Sequence, residues 1–233
     1  MSQPTFAVVG HPNKGKSSIV ATLAHDPTVR VGPDPGTTTL SRAYPMTIGN
    51  ETLYVLIDTP GFQRSRKVLE WMKARETTAA KHPEVVKQFV EDSSLQQSFP
   101  DEYQLLKPIV EGAGILYVVD GAVPFGPEYE AEMEILRWTG RPRLALINPI
   151  GSDTYVAEWR AALEQYFSVV RVFDAVTASF PKRLELLSLF GELDELWRPA
   201  LDKAVTQLRR DRENRLRQAS DAISNALTTI ITL

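Results

Sequence analysis

The chain has 233 residues, 43% of them hydrophobic and 24% charged, with a net charge of −3. This is an ordinary globular composition for one large domain or one domain with an appendage, and its charge gives no electrostatic reason for general nucleic-acid binding. Cysteine is absent, which excludes disulfides and thiolate metal sites, and His11, His25 and His82 are too scattered to suggest zinc. No apolar run reaches the roughly 18 residues that a membrane-spanning helix needs. An apolar strand begins within a few residues of Met1, so no signal peptide is expected, and a cytoplasmic location is.

That first strand, Phe6-Ala7-Val8-Val9, ends in Gly10, and Gly10-x-x-x-x-Gly15-Lys16-Ser17 fits the phosphate-binding loop pattern. The glycines let the backbone curl so that successive N–H groups face phosphate oxygens. Lys16 places a cation near the β- and γ-phosphates, and the Ser17 hydroxyl can ligate Mg²⁺. Ile19–Leu23 continues as a helix whose positive N-terminal dipole faces the same anion.

Residues 25–35 are polar and rich in Pro and Gly, a loop leading into Asp34-Pro-Gly-Thr-Thr-Thr39. A threonine cluster alone reads as a turn. Behind a phosphate loop it reads as a sensor, in which one Thr completes the Mg²⁺ shell and bonds the γ-phosphate. Residues 40–48 and 51–57 read as strands meeting at a Gly49-Asn50 hairpin. The second runs into Asp58-Thr59-Pro60-Gly61, an acid at the end of a buried strand, where open α/β sheets bind ligands. Asp58 can hold a Mg²⁺ water, and the Gly61 N–H can reach a γ-phosphate.

Gly10-His-Pro-Asn13-Lys14-Gly15-Lys16-Ser17, Gly36-Thr-Thr38 and Asp58-Thr-Pro-Gly61 together resemble the first three motifs of the TrmE–Era–EngA type of translation-factor-class GTPases. The likeness covers roughly residues 4–180, and it is greatest to a bacterial branch in which such a domain precedes a C-terminal region of unknown function. The resemblance implies that Lys16 and the amides of Asn13, Lys14, Gly15, Lys16, Ser17 and Ser18 bind phosphates. It implies that Ser17 and Thr38 ligate Mg²⁺, that Asp58 holds it through water, and that Lys16, Thr38 and Gly61 serve the reaction. In some members the Asn matching Asn13 coordinates K⁺ in place of an arginine finger, which makes K⁺ stimulation an expectation here. The residue after the DTPG motif is Phe62, as in the hydrophobic-substituted GTPases whose side chain cannot orient water.

Residues 62–111 are longer than the corresponding stretch of a minimal GTPase. Ser65–Ala80 and Pro83–Asp92 have helical spacing, with apolar stripes at Val68, Leu69 and Met72 and at Val85, Val86 and Phe89; Ser98-Phe-Pro100 interrupts, and Tyr103–Val110 resumes. The segment reads either as an effector surface or as a helical insertion packed on the sheet. Ile115–Val119 ends in Asp120 as another buried parallel strand. Pro127–Thr139 reads as a helix with Pro at its start.

Arg143–Asn148 is the fifth strand. In the family it ends in N-K-x-D, whose carboxylate reads guanine. Here Asn148 matches, the Lys is Pro149 and the Asp position is Gly151, leaving Asp153 two residues late as a substitute. The final family motif is not evident in Asp174-Ala175-Val-Thr177, which follows the sixth strand, Val169–Phe173. Residues 152–167 read as a helix with Trp159, Leu163 and Phe167 on one stripe, and Phe180–Leu189 as a short helix broken at Gly191. From Leu193 the apolar spacing describes a long helix kinked near Pro199. Its middle, Arg209–Arg217, reads as a solvated face or, alternatively, as a basic patch for RNA or a membrane surface.

The order predicts a three-layer α/β sandwich with a mostly parallel six-stranded sheet and a C-terminal helical extension. Residues 1–190 form the GTPase domain in this reading, and 191–233 lead to a C-terminal domain. The expected function is Mg²⁺-dependent binding and slow hydrolysis of GTP as a conformational switch, with GTP and GDP as ligands. A protein effector would bind through 62–111 or the C-terminal helix. The atypical base-reading loop leaves a P-loop ATPase or a non-hydrolysing nucleotide-dependent scaffold as alternatives.

Overall fold

A computed structural model of the chain describes residues 3–24, 40–48, 51–75 and 78–231. The described elements are β1 (Thr5–Val9), α1 (Lys16–Ala24), β2 (Arg42–Ile48), β3 (Glu51–Asp58), α2 (Ser65–Lys73), α3 (His82–Glu91), α4 (Ser93–Ser98) and α5 (Pro100–Val110). After these come β4 (Gly114–Asp120), α6 (Pro127–Trp138), β5 (Arg143–Asn148), α7 (Val156–Leu163), β6 (Val169–Val172), α8 (Phe180–Leu193) and α9 (Arg198–Ile231). The strands form one six-stranded sheet in the order β2-β3-β1-β4-β5-β6, and only the β2–β3 pair is antiparallel.

The apolar strands are buried on both faces, as parallel strands covered by helices must be. Side chains alternate between two cores. Ala7, Val9, Ile115, Tyr117, Val119, Ala145 and Ile147 face a layer containing α2 to α7. Phe6, Val8, Leu116, Val118, Leu144 and Leu146 face α1, α8 and the start of α9. The expected three-layer sandwich is therefore present. The apolar residues of 62–111, including Val68, Met72, Val85, Val86 and Phe89, lie in the first core. Those stripes pack on the domain itself, so a partner at this segment would meet its polar faces.

Several boundaries differ from the sequence reading: of the helix expected over Ser65–Ala80, α2 takes Ser65–Lys73 and a 3-10 turn takes Ala79–Lys81, and three further differences have a local reason. The helix expected over 152–167 is confined to Val156–Leu163, because Ser152 and Thr154 tie a turn ahead of it, Oγ to Oγ1 at 2.6 Å. Helix α8 runs through Gly191 to Leu193. A helical Gly costs only about 1 kcal/mol, less than burying Leu187 and Phe190 against the sheet returns. The break falls instead at Asp194, whose carboxylate accepts from the Leu196 N–H at 2.9 Å. Pro199 then lies in the first turn of α9, where a missing N–H is harmless, rather than at a kink.

Helix α9 has two regimes. Leu201, Ala204, Val205 and Leu208 are buried in the second core, and Lys203 reaches Glu51 of β3 at 2.6 Å. Beyond Leu208 the helix leaves the core; Arg212 still lies over the Phe180 ring at 4.5 Å, and Leu216, Ile223, Leu227 and Ile230 are more than half exposed. Phe190 anchors the arrangement by stacking on Phe6 at 4.1 Å between ring centroids. Phe190→Ala should therefore cost about 3–5 kcal/mol in urea unfolding, whereas Leu216→Ala should stay within about 0.5 kcal/mol. Comparable losses for the two variants would refute the division of α9 and α8 into packed and projecting parts.

Candidate functional site

The parallel register brings the ends of four strands to one edge of the sheet. Val8 pairs with Asp58, Val9 with Tyr117 and Asp120 with Asn148. Between β1 and α1 the chain turns through Gly10, Asn13 and Gly15, with φ of +146°, +63° and +80°. These left-handed conformations explain two of the glycines and curl the loop around its own amides. Asn13 is exposed at the tip. The first N–H groups of α1, those of Lys16, Ser17 and Ser18, lack carbonyl partners of their own within the helix, the usual basis of anion binding.

Lys16 is buried, and its Nζ donates to the His11 carbonyl at 2.9 Å. Burial lowers the ammonium pKa to about 8, partly offset by the Asp58 and Glu132 carboxylates. The Ser17 hydroxyl donates to Asp58 Oδ2 at 2.7 Å, joining the loop to the end of β3. Lys14 Nζ lies 3.8 Å from Asp120 Oδ2.

The turn after β3 is pressed against the loop. A Cβ on Gly61 would stand 2.4 Å from Pro12 N, and the Phe62 N–H donates to the Gly10 carbonyl at 3.1 Å. Thr59 is buried with its hydroxyl on the Val8 carbonyl at 2.8 Å. The Phe62 ring is buried in the first core. Gly36, Thr37, Thr38 and Thr39, the expected sensor, lie outside the described residues.

On the other side, Asn148 is buried between two loops. Its Oδ1 accepts from the Ala175 N–H at 3.2 Å, and its Nδ2 would stand 2.3 Å from a Cβ on Gly15. Ile150, half exposed, also borders Gly15, and Val176 is almost fully exposed. Position 151 is a glycine at φ +78°, so no carboxylate stands where the family has one. Asp153 is exposed, and its carbonyl receives the Val156 N–H at 3.1 Å.

Two buried acids complete the surroundings and went unrecognised in the sequence. Glu132 of α6 takes His11 Nδ1 at 2.7 Å on one oxygen and the Tyr117 hydroxyl at 2.9 Å on the other. Burial pushes its carboxyl upward against the opposing pull of the His11 contact, and burial raises the Tyr117 phenol as well. Glu102 of α5 accepts from the Gln63 and Arg64 amides. A signal existed for both. Each acid sits on its helix's buried stripe, Glu132 with Tyr129 and Leu136, Glu102 with Leu105, Leu106 and Ile109. An acid in such a stripe is rarely there without a partner.

Since Asn148 is the brace between the phosphate loop and the loop after β6, Asn148→Ala leaves the Ala175 amide buried and unpaired. Chemical denaturation should register a loss of about 1–3 kcal/mol, and a variant as stable as the natural chain would refute the brace.

The described geometry has counterparts among known proteins. A family model described as 50S ribosome-binding GTPase matches residues 5–148, and a domain of unknown function, DUF3482, matches residues 160–233. The chain is similar to GTPase Der of Chlamydia trachomatis, 27% identical over 207 residues that make up 87% of this chain and 36% of that protein. It is 30% identical to GTPase Der of Chlamydia muridarum over 173 residues, 70% of this chain and 33% of that protein. It thus spans about a third of the length of these curated relatives. Among solved structures, an Era variant of Aquifex aeolicus bound to GDP·AlF4⁻ superposes with a TM-score of 0.56 at 19% identity, over 82% of this chain and 56% of that one. Era in complex with MgGDPNP and a segment of 16S ribosomal RNA gives 0.54 at 20% identity, over the same shares. At such identities these two likenesses establish the fold. The first family model runs from β1 through the phosphate loop and the Asp58 turn to Asn148, more than half of the chain, and the chain belongs to the family it describes, the 50S ribosome-binding GTPases.

Proposed function

We propose that the chain is a Mg²⁺-dependent GTP-binding protein that hydrolyses GTP slowly and acts as a conformational switch. The observation that carries this reading is the 2.7 Å bond between Ser17 Oγ and Asp58 Oδ2 beside the buried Lys16. A hydroxyl and a carboxylate side by side are hard oxygen ligands that suit Mg²⁺. That ion takes few protein ligands when phosphates supply the rest, so the absence of a His/Cys/Asp/Glu cluster among the described residues accords with it. Ser17 and Thr38 would hold the ion directly and Asp58 through water; when bound, Mg²⁺ neutralises charge on the phosphate oxygens.

The amides of Asn13 to Ser18 bind the phosphates, and Lys16 supplies a cation to the β- and γ-groups. The Gly61 N–H donates to the γ-phosphate, while Thr38 senses the same group from the other side. Phe62 has its side chain in the core, so it cannot orient the attacking water. Turnover is accordingly slow, on the scale of unassisted Ras, about 10⁻⁴–10⁻³ s⁻¹. Asn13, exposed at the loop tip, is the residue for K⁺ stimulation. Asn148 and Asp153 are the candidates for guanine recognition. In this reading residues 1–190 are the GTPase unit and 191–233 extend toward a C-terminal domain; the second family match, over residues 160–233, covers that extension and begins inside the GTPase unit. A protein effector at 62–111 or α9, or RNA or a membrane surface at Arg209–Arg217, would read the switch. No helix among the described residues is long and apolar enough to cross a membrane, and the proposed location is cytoplasmic.

A specific observation favours a second reading, a P-loop ATPase or non-hydrolysing scaffold: Gly151 replaces the base-reading acid, and the Asn148 side chain is engaged with neighbouring loops. Competition between GDP and ADP in Mg²⁺ separates the readings. GDP should bind at least about tenfold more tightly, and Lys16→Ala should weaken it about a hundredfold or more. Equal affinities would select the ATPase reading, and tight GTP binding without turnover the scaffold.

The lowered pKa of Lys16 gives a pH signature. The nucleotide-free protein loses the ammonium proton near pH 8, whereas bound phosphates hold that proton to higher pH. GDP affinity should be level up to about pH 7.5 and then fall by up to about tenfold per pH unit above pH 8. Calorimetry across pH 6.5–9.5 checks this, and a flat profile would remove Lys16 from phosphate contact.

A further inference from the structure

Helix α5 touches the stretch just after Gly61 and also Ser41, which follows the proposed sensor residue Thr38 by three positions. The Glu102 side chain is fully buried, and its Oε1 accepts the N–H groups of Gln63, at 2.9 Å, and Arg64. Its Oε2 is buried without a hydrogen-bond partner among the described residues. A buried carboxylate with an unmet oxygen costs stability, so folding alone gives no reason for it. The amides it holds are two and three residues beyond Gly61. Just upstream, the Phe62 N–H is fixed to the Gly10 carbonyl. The Gly61–Arg64 segment is therefore held at one end by the phosphate loop and at the other by α5.

The second contact comes from a proline. Pro108 lies inside α5 and has no N–H, so the carbonyl four residues earlier, that of Gln104, lacks its usual i+4 donor. That carbonyl accepts instead from the Ser41 hydroxyl at 2.7 Å, and the Gln104 side-chain oxygen lies 3.5 Å from the Ser41 N–H. Ser41 is three residues beyond Thr38. One turn of α5 thus holds both the stretch just after Gly61 and Ser41, the third residue after Thr38.

We propose that α5 is a two-point clamp that couples the Gly61–Arg64 stretch to Ser41, with Glu102 and Gln104 as positioning residues acting through Gly61 and Ser41. Pro108 opens the Gln104 carbonyl for this purpose. The clamp sets the Gly61 N–H and the position of Ser41 before nucleotide arrives, and a displacement at one grip is felt at the other through the rigid helix. This role rests on the proposed nucleotide switch and gives the 62–111 segment a part in it besides packing.

The test compares the affinity of a non-hydrolysable GTP analogue with that of GDP, because the clamp acts only on groups that face the γ-phosphate. Glu102→Ala should lower the analogue-to-GDP affinity ratio about tenfold and leave GDP affinity within about twofold, and Glu102→Gln, which retains an acceptor, should restore most of the ratio. Ser41→Ala, at a partly exposed site that leaves the core intact, should lower the ratio about threefold. In the nucleotide-free protein the same Ser41→Ala change should speed hydrogen exchange at the Gln63 and Arg64 amides. A wild-type chain that binds guanine nucleotides, with variants whose ratio and exchange are unchanged, would overturn the clamp alone. A wild-type chain that binds none would overturn the switch and the clamp together.

Discussion

Strand β1 exposes no side chain from Phe6 to Val9 on either face, and it lies between parallel partners β3 and β4. Everything at the site follows from that confinement. A strand that is dry on both sides cannot slip without moving its side chains to the wrong core, so its register is strongly specified. The phosphate loop that follows begins at a fixed point, and the parallel register aligns Asp58, Asp120 and Asn148 with it at the same edge of the sheet. Loops at the carboxyl ends of such strands are where α/β sheets bind ligands. The loop is then braced by three close contacts: Gly61 against Pro12, Phe62 N–H to Gly10, and Asn148 against Gly15.

Electrostatics at this edge is set by burial more than by charge count. Lys16, Asp58 and Glu132 are all largely withdrawn from water. Low local polarity strengthens every interaction among them and penalises any that is left unmet. Glu132 is satisfied on both oxygens, by His11 and Tyr117, and His11 in turn offers its carbonyl to Lys16. The loop is thereby tied to α6 and β4 as well as to β1. Lys16 is kept in place by its own loop, at the cost of a lowered pKa that a phosphate group is suited to reverse.

The projecting half of α9 contrasts with this packed edge. Its first turns share a core with Phe6 and Phe190, and Trp197 stands edge-on to Phe6 at 5.0 Å. From Arg209 onward the helix touches the body through Arg212, whose guanidinium lies 4.5 Å over the Phe180 ring of α8, and is otherwise held by its own ladder and by pairs such as Arg215–Asp211 at 2.9 Å. Exposed i,i+4 pairs contribute only a few tenths of a kcal/mol each. The insertion over 62–111 is the opposite case, long and charged in sequence yet folded onto the sheet through its apolar stripes.

Much of the fold and part of the site were legible in the sequence because their signals are local. The Gly10–Ser17 spacing, the apolar run into Asp58 and the hydrophobic Phe62 each announce their structure within a few residues. The alternating and continuous apolar strands likewise predicted the mixed sheet. The end of α8 differs from the sequence expectation because Gly191 is a weak local breaker that burial of Phe190 overrides, and the place of Pro199 differs because a helix starts beside it. Glu132, Glu102 and the Gln104 carbonyl were invisible as site elements for a different reason. Their partners lie 121, 39 and 63 residues away, and only the packing of α5 and α6 brings them together. The sequence by itself therefore determined the phosphate-loop chemistry and the layered fold, because both follow from residue types at short spacing. The tertiary structure alone decided which buried groups hold the loop and the turn after Asp58, because a carboxylate's role depends on the donors that long-range folding brings to it.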